Sequence, residues 1–193
     1  MEYKESITPE EIEEMELISF PGEIITITKL DEAYEAAIRD LSSSRMIGFD
    51  TETRPIFDPN VPRHSTALLQ LSNEHRSYLF RLHKTGIPDD LSAILASDSI
   101  TKIGAAVYDD IRGLQHFNKF KAARFMDLQK FVENYGIKDK SVRKLAAIIL
   151  GRKVSKTQQC SNWENHELTN AQKLYAATDA WVCLVMYKAL LAS

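Results

Sequence analysis

The sequence has few cysteines and no long apolar run. Two cysteines, Cys160 and Cys183, occur among 193 residues, and neither belongs to a C-x-x-C pair. They can build neither a disulfide framework nor a four-thiolate zinc site, so we expect inert thiols. No apolar run approaches the roughly 20 residues that span a bilayer, and residues 1–5 lack the basic and apolar regions of a signal peptide. We therefore expect a cytoplasmic protein that has no membrane partner.

Internal repeats, low-complexity segments and a linker between domains are also absent. A chain of 193 residues is typical of one domain and can bury a sizeable core, and its hydrophobic share of 44% is that of an ordinary globular protein. The five histidines show no metal-ligand spacing, so we interpret them as structural or surface residues. None of them enters the set of candidate functional residues.

The net charge of −3 conceals two regions of opposite sign. Residues 1–40 contain twelve acids and three bases, a net −9, and the remaining residues contain fifteen acids and twenty-one bases, a net +6. A positive body is expected of a protein that binds phosphate groups. Solubility alone is the alternative explanation, because surface charge is weakly constrained.

Apolar periodicity and turn residues predict an α/β fold in which helices flank a central mixed sheet. The capping box Thr8-Pro-Glu-Glu11 predicts a short acidic helix that reaches about Leu17. Phe20-Pro-Gly22 ends this segment, so we predict an acidic N-terminal extension over 1–22 and one domain over 23–193. Further strands and helices alternate along the domain, and three early strands in a row require an antiparallel portion. The predicted strands are 23–28, 46–49, 67–71, 78–80, 101–104 and 123–126, and the predicted helices include 31–41, 90–96 and 110–117.

Two carboxylates follow a strand that the sequence predicts to be buried. Asp50 and Glu52 come directly after Ile47-Gly-Phe49, and residues two apart on a strand share a face. Burying them is unfavourable unless a cation or a hydrogen-bond donor compensates the charge. Charged residues also alternate on solvent-facing strands, so this pair alone also fits a salt-bridged or helix-capping role.

A tyrosine and a third carboxylate lie one helical turn apart near the end of the chain. Tyr175 and Asp179 project from one face of a predicted helix, and the alanines between them leave room for close packing. The same spacing fits an amphipathic helix with a core tyrosine. Together with Asp50 and Glu52, however, Asp179 would form an oxygen-rich site of the kind that Mg²⁺ and Mn²⁺ prefer.

Three ordered motifs resemble those of the DEDDy 3′–5′ exonucleases, whose members include ribonuclease D and the Werner syndrome exonuclease domain. The motifs are Phe49-Asp-Thr-Glu52, Lys102-Ile-Gly104 with Asp110-Ile-Arg-Gly-Leu114, and Tyr175-Ala-Ala-Thr-Asp179, and Cys160-Ser-Asn-Trp163 extends the likeness. The resemblance covers roughly residues 26–191. It implies a ribonuclease H-like fold and a metal-dependent exonuclease that releases nucleoside 5′-monophosphates.

The resemblance also implies a role for each site residue. Asp50 would bridge two divalent cations, Mg²⁺ or Mn²⁺. Glu52 and Asp179 would hold the ion that binds the attacking water, and Asp110 would support the second ion. Tyr175 would orient that water; its ordinary pKa of about 10 argues against a role as the base.

This chain departs from the family pattern at several positions. Leu174 stands where the sister subclass has its histidine, which favours the tyrosine subclass. Ala106 stands where relatives often have histidine, asparagine or glycine, and Asp109 competes with Asp110 for the metal role. His166-Glu-Leu168 replaces the Arg-Pro-Leu of many relatives, so an arginine that contacts phosphate is expected to be missing.

Candidate nucleic-acid contacts are of three kinds. Thr51 and Thr53 adjoin the first carboxylates, in front of a loop in which Phe57 is expected near the metals. Residues 138–156 carry seven bases and one acid, a net +6, and are the strongest phosphate-binding candidate, although a solvated helix face is the alternative. Trp163 would either stack on a base or pack against the last helix. From residues 138–156 we predict that Arg152, Lys153 and Lys156 contact the nucleic acid.

The favoured function is a 3′–5′ exonuclease acting on a nucleic acid with a 3′ end, DNA before RNA. One alternative is an enzyme that trims RNA 3′ ends, since nothing in the sequence plainly reads the 2′-OH. Another is a catalytically silent binding module on the same fold. An unidentified protein partner or a homo-oligomer would supply targeting.

Overall fold

The computed structural model describes residues 2–56, 58, 60 and 64–193. Six strands in this part of the chain form one sheet in the order β1-β4-β3-β2-β5-β6. β3 is antiparallel to β2 and β4, and the other neighbouring pairs are parallel. The predicted central mixed sheet and its hairpin are therefore confirmed. The strands are β1 (Glu23–Ile27), β2 (Met46–Thr53), β3 (Thr66–Ser72), β4 (Arg76–Arg81), β5 (Thr101–Gly104) and β6 (Phe125–Asp127).

Helices cover both faces of the sheet. One face packs on α2, α4 and α5, and the other packs on α7 and α8. A 3₁₀ turn at Val132–Tyr135 follows α6. The helices are α1 (Pro9–Glu13), α2 (Glu32–Ser42), α3 (Leu82–Thr85), α4 (Asp89–Ala96), α5 (Val107–Leu114), α6 (Leu128–Phe131), α7 (Val142–Leu150) and α8 (Asn170–Leu191).

The alternation of side chains along β2 decides where its carboxylates point. Ile47 and Phe49 lie in the core cluster beneath α2, α4 and α5. Successive side chains of a strand point to opposite faces. Gly48, Asp50 and Glu52 consequently face α8, the helix that carries Asp179.

Gly48 allows α8 to lie almost directly on β2. A Cβ atom at this position would come within 1.9 Å of the Ala180 carbonyl oxygen. The helix residues Ala176 and Ala177 are fully buried, and each has only a methyl side chain. The absence of a side chain at Gly48 therefore brings the backbone of the helix against the strand that carries Asp50.

The N-terminal segment 2–22 packs against the helices of the domain. α1 forms with the predicted capping box but ends at Glu13, because Leu17 pairs with Lys153 in a short parallel bridge instead. Phe20 is buried beside Trp181, with ring centroids 5.7 Å apart, and its N–H donates to Thr178 Oγ1 at 3.0 Å. The segment thus crosses the outer side of α8 before β1 begins.

α8 passes the length and composition test for a membrane-spanning helix, which the sequence-based expectation did not foresee. Half of its most apolar stretch is buried inside the fold. Its buried residues include Ala176, Val182 and Met186, which lie in the core on the α7 and α8 side of the sheet. A central helix that packs in this way meets the same test.

Candidate active site

Three predicted carboxylates converge where β2 meets α8. Asp50, Glu52 and Asp179 each present an oxygen, and these oxygens all lie within 4.8 Å of one another. All three side chains are half-buried, and none forms an ion pair with a lysine or arginine of the described residues. Oxygen ligands gathered this closely suit hard divalent cations. The donor set therefore fits the metal site that the sequence predicts.

Asp110, in the first turn of α5, lies near the three clustered acids but is not among those whose oxygens lie within 4.8 Å of one another. Its Oδ1 accepts a hydrogen bond from Thr51 Oγ1 at 2.5 Å, and its charge raises the pKa values of Asp50 and Glu52. The adjacent Asp109 is exposed and forms no such contact within the described structure. The geometry thus favours Asp110 over Asp109 as the candidate metal ligand. Thr51 positions the Asp110 carboxylate.

Burial raises the pKa of every acid in the site, and repulsion from neighbouring acids adds to this at Asp50, Glu52 and Asp110. Burial is the largest cause for Asp50, followed by the charges of Asp179 and Asp110. Burial raises the pKa of Asp110 to about 6 and that of Asp179 to about 7. For Glu52 burial and the Asp50 charge act in the same direction. Protons or cations must therefore compensate a charge that the protein itself leaves unbalanced.

Tyr175 lies beside these carboxylates as a neutral hydrogen-bond donor. Burial raises the pKa of its phenol above the usual range, and the charges of Asp179 and Glu52 raise it further. Its hydroxyl interacts with Asp179, which lowers the pKa of that carboxyl against the larger effect of burial. At neutral pH this side chain can orient a water molecule but cannot accept a proton as phenolate.

Trp163 is fully buried, so the stacking role suggested by the sequence is wrong. Its ring lies 6.0 Å from that of Tyr175 and packs in a cluster with Leu68, Leu79 and Ala176. No face of the indole is open to a base. The alternative that the sequence left open, packing near the last helix, is what the structure shows, and through it Trp163 supports Tyr175.

The basic segment 138–156 is not a free phosphate-binding surface. Acids of the N-terminal segment pair with four of its bases: Lys138 with Glu5, Arg143 and Lys153 with Glu13, and Arg152 with Glu16. Two further bases pair within the domain, Lys140 with Glu133 and Lys144 with Asp139. The predicted contacts by Arg152 and Lys153 overlooked these partners, because the pairs join residues more than 130 positions apart.

The strand end that follows Glu52 is irregular. The register between β2 and β3 shifts between Glu52 and Thr53, and Thr53 is exposed. Such bulges often change the direction of side chains next to active sites. Arg54 pairs with Glu164 at 3.3 Å and ties this end to the segment after Trp163. Phe57, which the sequence placed near the metals, lies outside the described residues.

The backbone conformation at Ala106 accounts for the residues that relatives often have at this position. Its φ of 57° and ψ of 38° lie in the left-handed region, where glycine, asparagine and histidine are favoured. These are the residues that relatives often have at this position. The N–H of Ala106 donates to Asp127 Oδ1 at 3.0 Å, which holds the turn that starts α5 and aims Asp110.

A cavity of about 160 Å³ opens beside Tyr175 and Asp179. Sequence patterns did not reveal it, because one wall belongs to the N-terminal segment, which they predict to be an extension outside the domain. The opposite walls come from residues 155–157 and from the first turns of α8. Its lining is mainly apolar, with hydroxyl groups between: Leu17, Ile18, Ser19, Ser155, Thr157, Ala171, Leu174 and Thr178.

Comparisons with known proteins identify the family of this chain. A model of the 3′–5′ exonuclease family matches residues 24–193. The mouse bifunctional 3′–5′ exonuclease/ATP-dependent helicase WRN is 33% identical over 183 residues, which cover 90% of this chain but only 13% of that protein.

Solved structures show the same fold at lower sequence identity. The Aedes aegypti Nibbler EXO domain is 23% identical with a TM-score of 0.79, and the match covers 91% of both chains. Escherichia coli RNase D, described as an exoribonuclease involved in structured RNA processing, is 23% identical with a TM-score of 0.75, and the match covers 86% of this chain and 44% of that one. The fold is therefore the ribonuclease H-like fold of these domains. By its sequence match, its fold and its converging acids, this chain belongs to the 3′–5′ exonuclease family.

Proposed function

We propose that the protein removes nucleoside 5′-monophosphates from the 3′ ends of nucleic acids, with DNA as the favoured substrate and two divalent cations as cofactors. The observation that carries this proposal is the convergence of unpaired acids from β2 and α8, with Asp110 of α5 held nearby by Thr51. Membership of the 3′–5′ exonuclease family supports the direction of attack.

The acids present fit two hard cations. Asp50 would contact both, Glu52 and Asp179 would complete one position, and Asp110 would complete the other. When bound, two such cations lower the pKa of a bound water and stabilise the charge on the attacking and leaving oxygens. Mg²⁺ and Mn²⁺ are the expected ions, because the ligands are carboxylates.

The remaining side chains orient the reactants. The Tyr175 phenol stays protonated, so it donates a hydrogen bond to the water or to the scissile phosphate. Thr51 holds Asp110 in place through its hydroxyl. Asp179 interacts with the Tyr175 hydroxyl, which couples the position of the phenol to that of the carboxylate.

We further propose that the cavity beside Tyr175 receives the terminal base. It shares Tyr175 and Asp179 with the acid site, so a base within it keeps its phosphate near the cations. Leu174 lines the cavity but does not belong to the acid cluster, so a change at this position tests base binding separately from metal binding. Leu174→Glu should raise KM about tenfold or more through repulsion and lost apolar contact, and it should leave Mn²⁺ binding unchanged. An unaltered KM would exclude the cavity as the base site.

The test of the function uses matched 5′-labelled DNA and RNA strands with Mg²⁺ or Mn²⁺. We expect a ladder that shortens from the 3′ end, with mononucleotides as the released product. Asp110→Asn should abolish the ladder, whereas Asp109→Asn, at the exposed neighbouring position, should retain it.

Two results would contradict the proposal. One is the absence of products from every strand, which would favour a silent binding module. The other is full activity in Asp110→Asn. Faster degradation of RNA than of DNA at one salt concentration would instead select the RNA-trimming alternative, since the similar Escherichia coli RNase D is an exoribonuclease.

A further inference from the structure

Gln70, in the middle of β3, is a fully buried amide without a hydrogen-bond partner. Its side chain has no exposed surface, and neither Nε2 nor Oε1 bonds to any residue that the structure describes. Each such group costs about 1–3 kcal/mol when it is left unsatisfied. The described residues leave this amide without the partner that its burial calls for.

The register of the sheet identifies the nearest polar groups on the β2 side. Gln70 pairs directly with Asp50, so the two side chains share the face beneath α8, with Cβ atoms about 4.5–5.5 Å apart. The diagonal neighbours on β2 are Gly48 and Glu52. Because Gly48 has no side chain, the polar groups within reach across this pair of strands are the carboxylates of Asp50 and Glu52.

The β4 side offers a second unsatisfied group. Gln70 pairs directly with the apolar Leu79, and Arg81 lies diagonally across, opposite Leu68. Arg81 is 1% exposed, and its Nη2 donates to the carbonyl oxygens of Trp163 and Asn165. Its Nε has no partner among the described residues. The face beneath α8 thus holds a guanidinium on β4 with one unbonded N–H, an amide on β3 without a partner and a carboxylate on β2 without a basic partner among the described residues.

We propose that Gln70 is a positioning residue for the metal ligand Asp50. In the cation-loaded protein its Nε2–H donates to the Asp50 carboxylate, and its Oε1 accepts from Arg81 Nε–H. The amide has both a donor and an acceptor, so it can link the buried guanidinium to the carboxylate across one strand. This inference rests on the proposed metal-dependent function, because it assigns Gln70 to the support of that site.

Partners of this kind fix the orientation of a metal ligand, and their loss typically lowers metal affinity 10–100-fold. Gln70→Met keeps the length of the side chain and removes both polar atoms. We expect its Mn²⁺ affinity, measured by calorimetry without substrate, to fall at least tenfold. Its melting temperature in chelator should stay equal to that of the wild type or rise, because an unsatisfied amide has been removed.

Ser72→Ala is the matched control on the same strand and face. Ser72 lies opposite Gly48, and its hydroxyl donates to Ser77 Oγ at 2.7 Å. Removing this hydroxyl should lower the melting temperature and change Mn²⁺ affinity by less than about twofold, as expected of a buried hydrogen bond away from the ligands. Equal Mn²⁺ affinities in Gln70→Met and the wild type would overturn the inference.

A measurement on the unaltered protein keeps the inference testable if Gln70→Met does not fold. The side-chain amide resonance of Gln70 can be assigned through its contacts with Leu68 and Leu79. Addition of Mg²⁺ should shift this resonance and slow the exchange of its protons; an unchanged resonance at saturating Mg²⁺ would contradict the proposal. Exonuclease activity with an unchanged resonance would reject only the role of Gln70, whereas a shifted resonance without nuclease activity would reject only the proposed function.

Discussion

The acid site and the basic segment 138–156 are both concentrations of like charge, but the fold treats them differently. The carboxylates of Asp50, Glu52 and Asp179 converge within 4.8 Å and have no basic partner in the described structure. The bases of the segment pair with acids, several of which come from the N-terminal 22 residues. The acid site therefore needs an external cation, whereas acids of the protein itself largely neutralise the basic segment 138–156.

The difference follows from burial as well as from pairing. Glu13 and Glu16 are exposed, so solvent screens their ion pairs and the contribution of each pair to stability is small. The acids at β2 and α8 are removed from water, which raises their pKa values and leaves them dependent on a cation. A cluster of like charge in a sequence therefore does not by itself predict a ligand. What decides is whether the fold places the opposite charge beside it.

Gly48→Ala should break the acid site most completely. The new Cβ would lie 1.9 Å from the Ala180 carbonyl oxygen, so α8 must move away from β2 and carry Asp179 away from Asp50. We expect a loss of about 3 kcal/mol or more in the free energy of unfolding, together with loss of Mn²⁺ binding. Denaturant unfolding and calorimetry measure both.

Gly151→Asn provides the control for this change. No atom lies within 4 Å of an added Cβ at Gly151, and asparagine tolerates its left-handed φ of 63° and ψ of 29°. The control should retain Mn²⁺ binding. Normal Mn²⁺ affinity in Gly48→Ala would show that the close approach of helix and strand is not what assembles the site.

Asp50→Asn should separate stability from function at the acid site. Removal of one uncompensated charge should raise the free energy of unfolding in chelator by on the order of 1 kcal/mol at pH 8. The rate of nucleotide release with Mg²⁺ should fall by roughly 10³-fold, as when a principal electrostatic group is lost. A variant that is less stable in chelator and still active would contradict the repulsion described for this site.

The pH dependence of stability should distinguish the two regions. The folded-state pKa values of Asp110 and Asp179, about 6 and about 7, lie above the ordinary 3.8 of an unfolded aspartate. The folded protein therefore binds more protons, so the stabilisation from these protons is complete below about pH 4 and is lost as the pH rises through 6 and 7.

In chelator we expect the melting temperature to fall by on the order of 10 °C between pH 5 and pH 8. Saturating Mg²⁺ should remove most of this fall, because the cation replaces the protons. Thermal melts with and without Mg²⁺ test this directly. A flat profile in chelator would mean that the acids are already compensated.

The smallest effect is expected at the basic segment. The double variant Glu13→Gln, Glu16→Gln removes acids that pair with Arg143, Arg152 and Lys153. The melting temperature should change by less than about 3 °C, because these are exposed pairs. Affinity for single-stranded DNA should rise with a steeper salt dependence as bases are freed. A collapse in stability would show that this pairing is as essential as the carboxylate cluster.

Local patterns predicted the parts of the fold that depend on neighbouring residues. The capping box at Thr8, the β2 strand before Asp50 and the hairpin of β3 and β4 all formed where turn and burial signals placed them. The three motifs identified the candidate acids because each motif lies on its own predicted strand or helix. Their order, however, acquired meaning through the resemblance and not through periodicity.

Contacts between distant segments could not be predicted in this way. The pairing of Glu16 with Arg152 joins the two ends of the chain, and no local signal marks it. Gln70 sits between leucines on a strand, and only the register that places it opposite Asp50 gives it a role. For Trp163 the sequence left stacking and packing both open, because burial of an aromatic side chain depends on elements far away in sequence, and the structure shows packing.

The most direct test of this account counts the Mn²⁺ ions bound by the protein at neutral pH without substrate. Calorimetry or electron paramagnetic resonance should find two ions per chain in the wild type, fewer in Asp50→Asn, and an unchanged number in Glu13→Gln, whose acid belongs to the paired region. Absence of binding at millimolar Mn²⁺, or equal binding by the wild type and Asp50→Asn, would contradict the claim that the unpaired carboxylates form the metal site.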